Sequence, residues 1–410
     1  MTAPSKAPTR QQVLALIQEH WQPQVQTETV ALGDALGRVL TQSYQALYNQ
    51  PVVRASNMDG IAVASARFAQ GMPDTSHWRL GVDYVRADTG DDFDDAFDAV
   101  IPIEHIVFLA EGGIQIDDAA RGGLGNPGGL GERPRQIEPG LNVRSAGVSV
   151  RAGEPLAGPG TRMTATDVAA LAAGGISHVE VAKRPLVAFI PTGSELIPLG
   201  QQPQRGQTID SNSLLVAQML SDFGAEKLLF NPVIDSQTDL EAALDRALKQ
   251  AQIVLINAGS SKGAEDFNAE LLAQKGQLLC HWIASAPGRP LAAAIIDGKP
   301  VLNIPGPPLA TYFVMDWCVG RLVAQALGTK PEPKRVVWAT LTEDLEAPPH
   351  MEILRRLEVS QATDGSYLVA PLSRSTTTIP QLLRAGAQFV NPLGHSGGFK
   401  RGEQIEVELL

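Results

Sequence analysis

PLVAFI, at residues 185–190, is a continuous apolar run and the first of three strand-like segments in the middle of this chain. KLLFNPVI (227–234) and IVLIN (253–257) follow it, and a helical pattern separates each segment from the next. A strand that is apolar on both faces is typical of a parallel sheet covered by helices. Strands that alternate with helices therefore predict a doubly wound, mostly parallel α/β sheet.

The flanking segments predict further elements. PLAAAIIDGKPVLNI (290–304) predicts a hairpin that turns at Asp297-Gly298, and a helix is expected from about residue 308. Residues 10–21 predict a helix with one apolar stripe. Short strands are predicted from about residue 51 to 141 and again from about 331 onward, so we expect β domains on both sides of the α/β sheet.

Composition narrows the class of protein. A chain of 410 residues is long enough for several domains, and its net charge of −11 argues against a general nucleic-acid binder. The two cysteines, Cys280 and Cys318, have no metal-site spacing and are expected in the core. Residues 1–21 lack the apolar core of a signal peptide and no apolar run reaches the length of a membrane span, so we expect a cytoplasmic protein.

Ligand chemistry is expected in the loops at the carboxyl ends of the parallel strands, because open α/β sheets bind ligands there. Four loops qualify, at residues 191–195, 235–236, 258–263 and 305–308. Their glycines and hydroxyl groups suit the close approach of phosphate oxygens. Carboxylates near such a site, at Glu195, Asp235 and Asp266, would repel phosphate unless a cation such as Mg²⁺ lay between them.

Simpler interpretations stay open for the same residues. Asp210 or Ser211 fits a helix N-cap at least as well as a ligand contact, and Asp266 can cap the helix that follows it. A single Gly-containing loop after a strand is more often a turn than a site. The functional interpretation depends on several such loops sharing one edge of one sheet.

Short motifs occur in a fixed order along most of the chain. They are Asn57-Met58-Asp59-Gly60, Asp88-Thr89-Gly90, Asp98-Ala99-Val100, Pro191 through Leu196, Gly206 through Asn212, Gly259 through Asp266, Ala286 through Pro290 and Pro305-Gly306-Pro307-Pro308. In this order they resemble the molybdopterin molybdenumtransferase family, that is, MoeA and the gephyrin E domain. Each motif alone is weak, and the ordered set is specific.

This chain lacks several of the charged residues that the family motifs contain. The family's Gly-Glu-Asp reads Gly147-Val148-Ser149, so two carboxylates are missing. Ser194 replaces an aspartate, and Asp235-Ser236 replaces a pair of aspartates. Ala286 and Arg289 replace two lysines, and Pro307 replaces an asparagine. These departures bear on the chemistry more than on the fold.

The resemblance implies an α/β plus β protein with four domains. They are an elongated linker domain (1–50 and 142–183), an inserted β-rich lid domain (51–141), a MoaB/Mog-like α/β molybdopterin-binding domain (184–330) and a small C-terminal β-barrel-like domain (331–410). It also implies a homodimer, in which the lid of one subunit completes the site of the other.

The family reaction inserts molybdate into adenylated molybdopterin and hydrolyses the adenylate in a Mg²⁺-dependent step, before possible handover to molybdoenzymes. The resemblance implies catalytic roles for Asp59, Thr89, Glu195 and Asp235, with Glu195 and Asp235 holding the metal ion. The residues predicted to bind the pterin ligand are Thr192, Gly193, Asp210, Ser211, Asn212, Gly259, Ser261, Gly263, Asp266, Arg289, Pro305 and Gly306.

Two other functions stay open. A non-catalytic paralogue that carries or senses the cofactor would fit the loss of carboxylates at Val148 and Ser149. A pyrophosphatase or amidohydrolase acting on another nucleotide would reuse the α/β domain, although the lid motifs argue against it. Retention of Asp59, Thr89 and Glu195 favours the transferase.

Overall fold

The computed structural model describes residues 7–110, 112–117, 137–233, 236–258, 264–373, 375–395 and 397–410. The chain forms two compact units. Thr29–Val181 is the inserted unit, and the chain through Glu28 together with Ala182–Leu410 is the core unit. The finer division into four domains stays a prediction.

The elements up to residue 182 are mostly short strands. They are α1 (Arg10–His20), β1 (Thr27–Ala31), β2 (Tyr44–Gln45), β3 (Ala55–Ser56), β4 (Gly60–Val63), β5 (Tyr84–Ala87), β6 (Ala99–Pro102), β7 (Ile106–Phe108), β8 (Ile114–Ile116), β9 (Val143–Arg144), β10 (Pro155–Ala157), α2 (Ala165–Ala173) and β11 (His178–Ala182), with 3-10 turns at Leu32–Asp34, Ser65–Phe68 and Ile103–His105.

From residue 186 onward, helices and strands first alternate and strands then dominate. The elements are β12 (Leu186–Pro191), β13 (Leu196–Ile197), β14 (Thr208–Ile209), α3 (Asn212–Phe223), β15 (Glu226–Leu229), α4 (Gln237–Gln250), β16 (Ile253–Ala258), α5 (Ala264–Lys275), β17 (Gln277–His281), β18 (Ser285–Ala286), β19 (Ala292–Ile296), β20 (Lys299–Pro305), α6 (Pro308–Val314), a π-helical turn (Met315–Val319), α7 (Gly320–Ala326), β21 (Val336–Leu341), β22 (Glu352–Gln361), β23 (Tyr367–Pro371), α8 (Ile379–Leu383), β24 (Ala387–Asn391) and β25 (Gln404–Leu409).

The inserted unit contains the predicted β-rich segment. Strands β5, β4 and β6 form an antiparallel sheet whose buried side chains include Ile61, Val63 and Ile101. Gly60 begins β4 where a side chain cannot fit, because a β-carbon there would lie 2.1 Å from the carbonyl oxygen of Ile101. The glycine of the Asp59-Gly60 motif is therefore required by the packing of this sheet.

The core unit contains the predicted α/β sheet. Its strand order is β15-β12-β16-β20-β19-β17; the first four strands are parallel to one another, and β19 pairs in antiparallel fashion with both β20 and β17. Helices α4 and α5 cover one face with apolar side chains such as Leu244 and Leu272, and α3 and α6 also pack on the sheet. The hairpin turn at Asp297-Gly298 is confirmed, and both residues have positive φ, 50° and 70°.

Two local expectations differ from the structure. The strand predicted over 227–234 ends at Leu229, since Asn231-Pro232 follows soon after and proline cannot donate to a sheet ladder. The loop predicted after Pro191 contains a small parallel ribbon, β13–β14, in which Leu196 pairs with Thr208. Both cysteines are buried as predicted, and burial raises the pKa of the Cys280 thiol to about 11.

The C-terminal strands close into a five-stranded barrel. The order is β22-β23-β21-β25-β24, and β24 pairs back onto β22 to complete the ring. Its interior contains Leu341, Leu357, Val369 and Ile405. Strand β18 pairs in parallel with β22, which links the barrel to the connection between β17 and β19 of the α/β sheet. The predicted C-terminal β domain is confirmed.

In the core unit, the chain segment that precedes the inserted unit lies beside the segment that follows it. The backbone N–H of Lys183 donates to the carbonyl of Gln26 at 2.7 Å. The chain therefore leaves the core unit and returns to it at neighbouring points. Among the described residues, no helix is both long and apolar enough to cross a bilayer.

Candidate functional site

Asn257 forms hydrogen bonds with residues of three elements that meet at the carboxyl edge of the sheet. It lies near the end of β16 and is 4% exposed. Its Nδ2 donates to the carbonyl of Pro305 at 2.9 Å, and its Oδ1 accepts from Nδ2 of Asn212 at 2.8 Å. The backbone N–H of Thr192 donates to the carbonyl of Asn257 at 2.9 Å. The structure thus brings Thr192, Asn212 and Pro305 together, and it adds Asn257 to the predicted set.

The Pro305-Gly306 loop is held from both sides. Nδ2 of Asn212 also donates to the carbonyl of Gly306, at 2.6 Å. From helix α6, the buried Thr311 donates its Oγ1 hydroxyl to the carbonyl of Pro305 at 2.8 Å. Thr311 was not predicted as a site residue, because its role depends on a helix turning back onto the loop that precedes it.

Glu195 presents a carboxylate beside a glycine. A β-carbon on Gly193 would lie 2.7 Å from each carboxylate oxygen of Glu195, and the φ of Gly193 is +145°, a value that favours glycine. The Glu195 carbonyl accepts from the Thr208 N–H at 2.8 Å, which fixes the backbone. Among the described residues, no hydrogen-bond donor or cation pairs with this carboxylate.

The side chain of Asp210 caps helix α3. Its carboxylate accepts from the backbone N–H of Ser213 at 3.0 Å and from the Ser213 hydroxyl. The helix-cap interpretation therefore accounts for Asp210, whereas the exposed Ser211 makes no side-chain capping bond. Ligand contacts by either residue stay predictions.

Arg289 lies on a turn at the same edge of the sheet. Ala292 pairs with Asn303 in the antiparallel register of β19 and β20, so the chain before Ala292 extends past the same edge as Pro305. The exposed guanidinium of Arg289 lies 5.4 Å from the centroid of the Trp282 ring. An arginine supported on an aromatic face can still direct its N–H groups toward a phosphate.

Five predicted site residues cannot be assessed. Asp235, Gly259, Ser261 and Gly263 lie outside the described residues, and so does the side chain of Asp266. Within the described chain, no cluster of three or more His, Cys, Asp or Glu side chains could hold a metal ion.

The inserted unit carries the second group of predicted residues. Oδ1 of Asp59 accepts from the backbone N–H of Thr89 at 2.7 Å and from its hydroxyl at 2.8 Å. The backbone bond and then the hydroxyl bond hold the pKa of Asp59 below its usual value, so this exposed carboxylate is charged at neutral pH. Asp59 and Thr89 are thus in direct contact within the inserted unit, and their catalytic roles stay a prediction.

Arg144 is a further candidate beside this pair. Strand β9 pairs with β3, and Nε of Arg144 donates to Oδ1 of Asn57 at 2.7 Å, two residues before Asp59. Sequence alone gave no signal for it, because the pairing joins residues almost ninety positions apart. The exposed arginine adds a cation to the surface that carries the Asp59 carboxylate.

Comparison with known proteins gave matches over nearly the whole chain. The family model described as the MoeA N-terminal region (domain I and II) matches residues 9–175, and the probable molybdopterin binding domain matches residues 188–325. The molybdopterin molybdenumtransferase of Bacillus subtilis (strain 168) is 26% identical, over 95% of this chain and 91% of that protein.

Two further comparisons agree with these matches. The molybdopterin molybdenumtransferase of Haemophilus influenzae is 26% identical, over 82% of this chain and 79% of that protein. The solved structure of the molybdopterin biosynthesis MoeA protein from Pyrococcus horikoshii OT3 superposes with a TM-score of 0.75 at 22% identity. That superposition covers 99% of this chain and 100% of that one, and it shows that the fold is shared.

Proposed function

Because the chain belongs to the molybdopterin molybdenumtransferase (MoeA) family, we propose that it is an enzyme of molybdenum-cofactor biosynthesis. Its substrates are adenylated molybdopterin and molybdate, and the adenylate is released by hydrolysis as molybdenum is inserted. The observation that carries the proposal is the shared edge of β12, β16 and β20, where Asn257 joins the loops predicted to bind the ligand.

The ligand is bound by backbone groups and by one arginine. The ligand approaches the backbone at Gly306, Gly193 leaves room for the Glu195 carboxylate beside it, and Arg289 pairs with a phosphate from the turn before β19. Thr192 and the Nδ2 group of Asn212 act mainly by holding these loops, since they already bond within the network around Asn257. Oδ1 of Asn212 has no hydrogen-bond partner among the described residues and is left for the ligand. The missing lysine at Ala286 is compensated only in part by Arg289.

Magnesium fits the residues that are described. Mg²⁺ is commonly held by one or two carboxylates, water and substrate phosphates. Glu195 offers such a carboxylate with no recorded competing partner, and Asp235 is the second candidate. Bound between carboxylate and phosphate, the ion would neutralise charge on the phosphate oxygens. Glu195 itself is held in place by the Thr208 N–H and by the absence of a side chain at Gly193.

A homodimer is part of the proposal, with Asp59 and Thr89 of one subunit completing the site of the other. The inserted unit exposes a group of large apolar side chains, which are Leu47, Tyr48, Val52, Val53 and Val148. The Gly147 N–H donates to the Pro51 carbonyl and the Ser149 N–H to the Gln50 carbonyl, so these two segments are neighbours. Exposed apolar side chains concentrated in this way are typical of a protein interface.

Sedimentation at micromolar concentration tests the assembly. Twice the chain mass of 43.6 kDa is expected. A clean monomer would exclude a site shared between subunits. We expect the protein in the cytoplasm, where it would hand the finished cofactor to molybdoenzymes.

Hydrolysis of adenylated molybdopterin tests the reaction. The assay compares turnover with and without molybdate and with and without Mg²⁺. Hydrolysis that depends on Mg²⁺ and yields cofactor only with molybdate is the expected result. Tight binding of the pterin without hydrolysis would instead identify a carrier or sensor, with Val148 and Ser149 as the first positions to restore to carboxylates.

A further inference from the structure

Arg356 carries a charge that is buried between the barrel and helix α6. It lies on β22 and is 2% exposed. The next residue, Leu357, points into the barrel interior, so Arg356 points outward from the same strand. Among the described residues, its Nε, Nη1 and Nη2 have no hydrogen-bond partner.

The recorded contact of this guanidinium is with an aromatic ring. Its central carbon lies 4.3 Å from the centroid of Tyr312, the fifth residue of α6. A desolvated cation over an aromatic face is worth more than the same contact in water, because solvent does not screen the attraction. Retaining an unpaired buried charge nevertheless disfavours folding, which points to a purpose other than stability.

Tyr312 follows the residue that holds the ligand loop. Thr311 donates to the carbonyl of Pro305, and its hydroxyl lies 3.4 Å from Nδ2 of Asn257. The same one-turn stretch of helix therefore contacts the barrel through Tyr312 and the sheet edge through Thr311. A displacement of Tyr312 would move Thr311, because a helix turn behaves as a rigid body on this scale.

The same barrel strand is linked to α6 at a second point through Arg10 of helix α1. Glu352 of β22 forms an ion pair with Arg10 at 2.9 Å, and the Arg10 guanidinium lies 5.2 Å from the centroid of the Phe313 ring. Helix α8 of the barrel region also packs against α6. Removing Arg356 would leave these contacts in place, so the helix should stay folded while its orientation becomes less restricted.

We propose that Arg356 is a positioning residue, which sets the Pro305-Gly306 loop for the pterin ligand by stacking on Tyr312 of helix α6. The consequence for binding rests on the proposed function. The mechanical link from the barrel to the loop does not rest on the proposed function. The link and its consequence for binding can therefore be tested separately.

Hydrogen exchange of the segment 303–315 tests the mechanical link without any ligand. Arg356→Met and Tyr312→Leu should each speed exchange there by at least about fivefold, since each removes the cation–π contact. Tyr312→Phe keeps the ring and should exchange like wild type. Arg335→Met is the matched control, because it removes an exposed contact between Arg335 and Tyr367 elsewhere on the barrel. Unchanged exchange in both Arg356→Met and Tyr312→Leu would overturn the proposal.

Steady-state kinetics test the functional consequence. Arg356→Met should raise KM for adenylated molybdopterin at least about fivefold with kcat within about twofold, the pattern of lost uniform binding. Its melting temperature should equal or exceed that of wild type, because replacing an unpaired buried charge by an apolar side chain is often neutral or stabilising. A fall in melting temperature without a change in KM or in hydrogen exchange would contradict the proposal, because it would show that Arg356 contributes only to packing. No turnover by wild type would refute the proposed function alone, and the exchange result would still decide the link.

Discussion

Asn257→Asp tests whether the amide at the centre of the sheet edge is needed as a hydrogen-bond donor. The substitution keeps an acceptor for Asn212, whose Nδ2 lies 2.8 Å from Oδ1 of Asn257. It replaces the Nδ2 donor, 2.9 Å from the carbonyl oxygen of Pro305, with a second oxygen. Two oxygens at that separation repel each other, and the new charge is buried.

The magnitude follows from these contacts. Thr311 still donates to Pro305, so the carbonyl keeps one partner, and most of the loss comes from the repulsion between that carbonyl and the charged oxygen that replaces the Nδ2 donor. The free energy of unfolding should fall by about 3 kcal/mol, because a buried group left without its hydrogen bond costs about 1–3 kcal/mol and a charged one costs more. For a unit of this size, that corresponds to a melting temperature lower by about 6–12 °C.

The loss should depend on pH. Burial and the neighbouring carbonyl raise the pKa of the introduced carboxyl above its unfolded value of about 3.9. The destabilisation is therefore smallest at low pH, where the carboxyl is protonated in both states, and it grows as pH rises through the raised pKa. Scanning calorimetry of variant and wild type at about pH 5 and about pH 7.5 should show the larger difference at the higher pH.

Asn303→Asp is the matched control on the neighbouring strand β20. Asn303 is also buried, and its Oδ1 accepts from Nδ2 of Asn268 at 3.0 Å, a role that a carboxylate keeps. Asn257→Asp should be the more destabilising of the two. Equal losses, or a melting temperature for Asn257→Asp within about 2 °C of wild type, would refute the donor argument.

Three further predictions concern the carboxylates of the site. Glu195→Gln should slow adenylate hydrolysis at least about tenfold, or about 1.4 kcal/mol in the barrier, with a smaller effect on pterin binding, and an unchanged rate would remove Glu195 from the metal site. Gly193→Ala should slow the same reaction by a similar factor, because a β-carbon would meet the Glu195 oxygens at 2.7 Å, and normal turnover would mean that the carboxylate can move freely. Thr89→Val should raise the pKa of Asp59, as measured by a carboxyl NMR titration. The pKa should stay below the usual value for aspartate, because the hydrogen bond from the backbone N–H of residue 89 remains. The Asp59–Thr89 contact is present at neutral pH and is lost only as pH falls through the lowered pKa, so a titration unchanged by the substitution would show that the hydroxyl has no effect on it.

Local patterns were sufficient to predict the α/β sheet. The apolar run at 185–190 became a buried strand, and Asp297-Gly298 became the hairpin turn, because both signals lie within a few consecutive residues. The strand predicted over 227–234 was too long, since apolar character alone does not mark where sheet pairing ends. Barrel closure was not predicted in detail because the pairing of β22 with β24 is non-local.

Residues of the candidate site were predicted only where they lie in a family motif or in a loop that follows a predicted strand. Thr192 and Pro305 were predicted because their loops follow predicted strands, and Asn212 was predicted because it lies in a family motif. Asn257 was overlooked because it lies inside a strand, where an asparagine looks like a tolerated polar residue. Its importance comes from three partners that are distant in sequence, and no periodicity or spacing encodes such a convergence.

The hydrogen bond between Lys183 and Gln26 lies beside the paired strands β1 and β11 and brings both ends of the inserted unit close together. The inserted unit, Thr29–Val181, has 153 residues. Its chain leaves the core unit and returns to it at neighbouring points. A short glycine-containing loop could bridge such a gap, as tolerated insertions and excisions usually require. Exchanging the inserted unit for that of a relative would therefore need only two junctions, and both lie at neighbouring points of the core unit.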